Sequence, residues 1–174
     1  NKGARDIWCW ILSAVIFIAS LTLIGKETVY SLRGFCGLGL SFAADGFGVI
    51  LAVLTGAIWL ITTIFSKEYM AAERNRNRYY FFVFLTLGAT MGIFLSADLF
   101  TTFIFFEIMS FTSFVLVMHD EEDFTVRSAK TYLAVAVIGG LVTLMGLFMM
   151  YQKAGTLNMA ELTAFMQSRE NPAE

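Results

Sequence analysis

Glu107 is the one ionisable residue in the apolar run "LFTTFIFFEIMSFTSFVLVM" (residues 99–118), and it stands close to the middle. A bare carboxylate at the centre of a bilayer costs roughly 2.5–3.5 kcal/mol on insertion scales, so something must repay that cost. The chemistry open to such a group is proton transfer. Burial favours the neutral form of a carboxyl and a nearby cation favours the charged form, so a group held between the two influences changes protonation on small movements. Ser110, one helical turn on, can donate a hydrogen bond. Phe100, Phe103, Ile104, Phe111 and Phe114 make the rest of that face hydrocarbon. A plainer reading also fits: a neutral glutamic acid bonded to a neighbouring helix and doing nothing else.

An ionised Glu107 needs a cation at its own depth. The other apolar stretches hold none: Lys130 sits at the membrane end of the last one, and the arginines lie in loops. Either Glu107 stays protonated or its partner lies on a helix outside these residues. Two further acids, Asp45 in "SFAADGFGVI" and Asp98 in "SAD", stand at helix starts. They are candidates for pathway or support, although a carboxylate there also caps free N–H groups and complements the helix dipole. The acidic run "HDEED" (119–123) lacks the spacing of a calcium-binding loop and reads as a solvated loop. Two cysteines, Cys9 and Cys36, are too few and too far apart for a metal or iron–sulfur framework. They are expected near opposite faces of the membrane, so no mutual disulfide is expected. The single histidine, His119, ends a helix, and neither GxGxxG nor a Walker-type loop occurs. No redox centre and no cofactor are expected in the chain.

The elements that must carry these groups follow from composition. Of 174 residues, 57% are hydrophobic and 15% charged, against about 25% charged in an average soluble domain. The mean hydropathy is +0.70. This is the make-up of an integral membrane protein. The net charge of −2 is uninformative about partners, and no basic stretch with interleaved aromatics points to nucleic acid. A span needs about 20 mostly apolar residues, which predicts five: 7–24, 43–65, 79–95, 99–118 and 129–151. The third and fourth form one apolar run broken by "SAD" (Ser96, Ala97, Asp98), the expected hairpin turn.

With five alternating spans, one side carries Lys2, Arg5, Lys67, Arg74, Arg76, Arg78, Arg127 and Lys130, the other Lys26, Arg33, Lys153 and Arg169. Eight against four places the N-terminus in the cytoplasm. After the fifth span, Asn158 followed by Glu161 is a variant capping box. Met159, Leu162 and Met166 then share one helical face, which predicts an interfacial amphipathic helix over 158–169. "GGLVTLMG" places Gly139, Gly140 and Gly146 along the fifth span, where small residues permit close helix approach. The first residue is Asn1 and no signal peptide is recognisable, so the chain is expected to be a segment of something longer.

Five passages together resemble the antiporter-like proton-pumping subunits shared by respiratory complex I, membrane-bound hydrogenases and multi-subunit cation/proton antiporters. "FAADGFGVILAVLTGAIWLITTIFSKEYM" is similar to the family's third helix, with Asp45–Gly46 at its start and Ser66 and Tyr69 at its end. "LGATMGIFLSADLFTTFIFFEIMSFTSFVLV" resembles the fourth and fifth helices, and within it "FEIMSFTSFVL" resembles an aromatic–Glu–hydrophobic–Met–Ser signature. "SAKTYLAVAVIGGLVTLMGLFMMYQKAG" is similar to helix six and "TLNMAEL" to the amphipathic segment after it. The resemblance covers residues 38–162; residues 1–37 would supply helix two and its loop.

The resemblance implies an all-α polytopic membrane protein forming part of an inverted-repeat fold. It implies that Glu107 is the functional glutamate of helix five, paired in the family with a lysine on helix seven, and that changes in this pairing pass protons along a central hydrophilic axis. Helix seven would begin beyond residue 174, so the remainder of the subunit, with that lysine, and other membrane subunits would be the partners. The setting would be a bacterial or archaeal plasma membrane. Redox chemistry, if any, would lie on other subunits, as in NADH-quinone oxidoreductases and hydrogenases. A structural accessory subunit with Glu107 as a neutral anchor is the rival reading.

Overall fold

The computed structural model describes residues 2–32, 34, 38–71, 75–119 and 122–170. Arg33, Cys36, Arg74, Asp120 and Glu121, all used in the reading above, lie outside them, as do the side chains of Lys2 and Arg169. Six helices and one hairpin follow in chain order: α1 (Lys2–Leu21), β1 (Thr28–Leu32), β2 (Leu40–Ala44), α2 (Gly46–Tyr69), α3 (Arg76–Phe94), α4 (Leu99–Val117), α5 (Asp123–Ala154) and α6 (Met159–Glu170). From α1 to α5 each helix packs on the next in sequence, the pattern expected of antiparallel neighbours joined by short connections.

Four of the helices, α1, α2, α4 and α5, are long and apolar enough to cross a membrane. The remaining expected span, the third (79–95), falls on α3, which at 19 residues is as long as α4 but is not in that group. Arg76, Asn77 and Arg78 fill its first turn and dilute its hydropathy. Its inner side is nonetheless core: Tyr80, Thr86, Leu87, Ala89 and Gly92 are buried. The last long helix extends well beyond the expected 129–151, because Asp123 to Arg127 form a polar turn and a half ahead of the apolar stretch. It stops at Gly155, whose φ of 74° is a left-handed conformation that glycine adopts without strain.

The hairpin was not expected from sequence. β1 and β2 pair antiparallel, Thr28 opposite Ala44 and Leu32 opposite Leu40. Their role is to hold the "SAD" turn. Ala43 N donates to Leu95 O at 2.8 Å and Ala97 N to Ser41 O at 2.8 Å. On the other side of the turn, Leu99 N donates to Leu157 O at 3.0 Å and Met159 N to Ala97 O at 3.2 Å. The α3–α4 turn is therefore clamped between the hairpin and the start of α6, which satisfies backbone groups that a bare turn would leave unpaired. A small apolar cluster of Phe100, Leu147 and Leu157 closes the same end.

A few polar contacts join the helix seams. Ser13 Oγ donates to Thr63 Oγ1 at 3.0 Å between α1 and α2, Trp59 Nε1 to Val83 O at 3.2 Å between α2 and α3, and Thr86 Oγ1 to Thr112 Oγ1 at 2.8 Å between α3 and α4. Where lipid is as apolar as the side chains, such bonds and close packing drive helix association. The outer face of α5 has no such partner among the described residues: Val135, Ile138, Leu141, Val142 and Met145 are 60–69% exposed.

On α6, Leu162 is buried while Met166 is 57% exposed, so the apolar residues expected to share one face are divided between protein and outside. The capping box takes a relayed form. Asn158 Oδ1 accepts from Ala160 N at 3.0 Å and Glu161 N at 3.3 Å, while Glu161 bonds the Thr156 hydroxyl at 2.5 Å and that hydroxyl accepts from Asn158 N at 3.1 Å.

Candidate functional site

Glu107 lies on the face of α4 that meets α5. It borders a narrow crevice walled by Ser110, Phe111, Leu133, Ala136 and Val137, too tight for a water molecule. Its Oε1 is buried and has no hydrogen-bond partner among the described residues. Ser110 is buried one turn away, but no hydrogen bond between the two is formed. The backbone of α5 comes close at Gly140, which is buried and leaves the space that the Glu107 carboxyl fills. Among the described residues the ion pairs are Arg5–Asp6 and Arg76–Asp6; neither involves Glu107. Lys130 is exposed and lies ten residues before Gly140 on the same helix, about 15 Å along its axis. It is not at the depth of Glu107.

The two helix-start acids act as caps. Asp45 accepts from Gly48 N at 3.1 Å. Asp98, 9% exposed, accepts from Thr101 N at 2.8 Å, Thr101 Oγ1 at 2.5 Å and Ser41 N at 3.1 Å. The geometry thus separates the candidates. Glu107 and Ser110 share the α4–α5 seam, Asp45 and Asp98 sit at the hairpin end of the bundle, and Lys130 stands towards the other end.

One charged cluster went unrecognised in the sequence. Asp6, 6% exposed, pairs with Arg5 at 3.2 Å and Arg76 at 3.6 Å. Arg5 also donates to Asn77 Oδ1 at 2.7 Å and stacks over the Tyr80 ring at 5.5 Å. Arg76 reaches the Lys67 carbonyl at 3.2 Å and Arg78 the His119 carbonyl at 2.9 Å. These contacts tie together the starts of α1 and α3 and the ends of α2 and α4. The available signal was an acid in "NKGARD" with arginines waiting in "RNRNR", but no spacing rule links positions so far apart.

Residues 96–173 match the model of a protein family described as NADH:quinone oxidoreductase/Mrp antiporter, transmembrane region. The chain is 30% identical over 124 residues to a Na(+)/H(+) antiporter subunit of Alkalihalophilus pseudofirmus, a match covering 71% of this chain and 25% of that protein. It is 30% identical over 146 residues to the Na(+)/H(+) antiporter subunit of the same name from Bacillus subtilis, covering 84% of this chain and 28% of that one. Two solved structures share the fold. A chain of the membrane-bound sulfane sulfur reductase, an archaeal respiratory membrane complex, superposes with a TM-score of 0.81 at 19% identity, over 90% of this chain and 34% of that one. A chain of the Mrp complex from Dietzia sp. gives 0.79 at 22% identity, over 93% and 32%. The chain spans about a quarter of the length of these curated relatives.

Proposed function

We propose that this chain, an integral membrane chain of the antiporter-like subunit family related to complex I and Mrp, contributes the proton-switching carboxyl of a translocating subunit, and that Glu107 is that carboxyl. The observation that carries the reading is the buried, unpartnered Oε1 in the α4–α5 seam. A structural anchor would hold a hydrogen bond there. An unpaired buried polar atom costs about 1–3 kcal/mol, and a group kept at that cost fits one that must change partners.

In the cycle, a cation brought close holds Glu107 ionised, and its withdrawal lets a proton on. Among the described residues neither Lys130 nor any other cation pairs with Glu107, and the reading places that cation on the remainder of the subunit. Ser110, buried one turn away, is the hydroxyl that can donate a hydrogen bond to the carboxylate. The cargo is H⁺, exchanged against a cation where the complete assembly is an antiporter. Partners are the remainder of the subunit, sibling membrane subunits and the lipid bilayer of a bacterial or archaeal plasma membrane. The arginine-rich end that holds Arg5, Lys67, Arg76 and Arg78 faces the cytoplasm, by the excess of positive charge.

The test is Glu107→Gln in the complete subunit within its membrane assembly. Gln keeps size and hydrogen-bonding capacity but cannot ionise. Loss of proton uptake by everted vesicles, with assembly intact, is the expected result. Transport at the wild-type rate would leave Glu107 as a neutral anchor in a structural bundle.

A further inference from the structure

Each of the four helix–helix seams holds a glycine with little or no room for a Cβ. A Cβ on Gly56 would stand 3.2 Å from Phe17 Cα across the α1–α2 seam. On Gly48 it would stand 3.4 Å from the Phe94 carbonyl carbon, between α2 and α3. On Gly92 it would press into the Phe105 ring, 2.5 Å from Cγ, between α3 and α4. Across those three seams the facing atoms are hydrocarbon, backbone or, beside Gly56, the Ser20 hydroxyl, and the carboxylate near Gly48 is that of Asp45, the cap of its own helix. The α4–α5 seam is different: a Cβ on Gly140 would lie 2.8 Å from Glu107 Cδ and 2.9 Å from its Oε2.

We infer that Gly140 is a positioning residue for the Glu107 carboxyl, setting how far it sits into the α4–α5 seam by withholding a side chain opposite it. The inference rests on the reading of Glu107 as the proton-switching group. The neighbouring glycines sharpen it. Gly139 and Gly146 lie on the same helix with open space where a Cβ would be, so the need for glycine is local to position 140. The crevice beside the carboxyl holds no water-sized space, so a displaced carboxyl cannot slip sideways and keep its depth. A Cβ at position 140 would meet the far end of a flexible side chain, not backbone. The carboxyl therefore yields before the helices do, and its position changes while the fold survives.

The experiment uses the complete subunit in its membrane assembly, with Gly140→Ala, Gly139→Ala and the double variant Gly140→Ala/Glu107→Asp. Two properties are read: the infrared bands of the Glu107 carboxyl, identified by their loss in Glu107→Gln, and proton uptake by everted vesicles. Gly140→Ala is expected to shift the carboxyl bands and slow uptake on the order of 10- to 100-fold, the scale of a misplacement near 1 Å. Gly139→Ala should change neither. The double variant should recover part of the loss, because the shorter Asp clears the new methyl. Unmoved bands in an assembled Gly140→Ala protein would overturn the inference, whatever the transport rate. If Gly140→Ala fails to assemble, Gly140→Ala/Glu107→Ala decides: recovered assembly shows that the methyl met the carboxyl, and continued failure overturns the inference. Wild-type transport in Glu107→Gln would remove the functional reading alone, since the band positions report on Gly140 independently.

Discussion

Replacing Asp98 by alanine should loosen the whole hairpin end of the bundle, and the cost can be worked from its contacts. Three donors point at this carboxylate: Thr101 N, Thr101 Oγ1 and Ser41 N. Ser41 N keeps a second acceptor, Thr101 Oγ1 at 2.9 Å, and that hydroxyl can turn. Thr101 N, at a residue with no exposed surface, is left with nothing. Loss of an N-cap costs typically about 1 kcal/mol, and stranding a buried donor about 1–3 kcal/mol; these overlap, so the sum is about 2–4 kcal/mol. Asp98→Asn keeps one acceptor for Thr101 N but turns an N–H₂ towards Ser41 N or Thr101 Oγ1, and should cost about 1 kcal/mol. The assay is thermal unfolding of the assembled complex, with amide hydrogen exchange at Ser41 and Thr101. Alanine should speed exchange at both and Asn should speed Ser41 alone, while proton uptake per folded complex stays within twofold or so of wild type in Asp98→Asn, as surface-distant caps allow. Wild-type protection in Asp98→Ala would refute the cap. Loss of uptake in a stable Asp98→Asn protein would move Asp98 into the proton path.

Three further substitutions probe other contacts. Asp6→Ala removes the carboxylate shared by Arg5 and Arg76; breaking a mostly buried pair this way should cost on the order of 3 kcal/mol, read as earlier thermal unfolding and as protease access between α1 and α3. Gly92→Ala and Gly88→Ala should move the melting temperature in opposite directions. The first drives a methyl into the Phe105 ring and costs about 1–3 kcal/mol. The second enters open space and gains up to about 1 kcal/mol of helix propensity.

The helices were legible because hydropathy is a property of single residues summed along the chain, and the starts of α2 and α4 because capping is local. Asp45 and Asp98 precede helices that their own side chains start, so no distant partner had to be known. The hairpin was less visible. "TVYSL" and "LSFAA" are five residues each, too short for an alternating pattern to stand out, and what fixes them is pairing with each other and with the α3–α4 turn. Asp6 failed for the same physical reason in stronger form. Its partner Arg76 lies on another helix, and an ion pair carries no signature until the fold brings both ends together.

The site divides along the same line. A carboxyl in an apolar run announces itself by its insertion cost, so Glu107 could be singled out as a candidate from one residue and its neighbours. Its niche could not. Gly139, Gly140 and Gly146 are equivalent as small residues in a sequence, and only the approach of α4 to α5 gives Gly140 a different role. The same approach accounts for the unpartnered Oε1. Glycine brings a backbone whose N–H groups are already spent within the helix, so it supplies room for the carboxyl without supplying a donor. On the proposed reading, space without a hydrogen bond is what a carboxyl that changes between protonated and ionised forms requires.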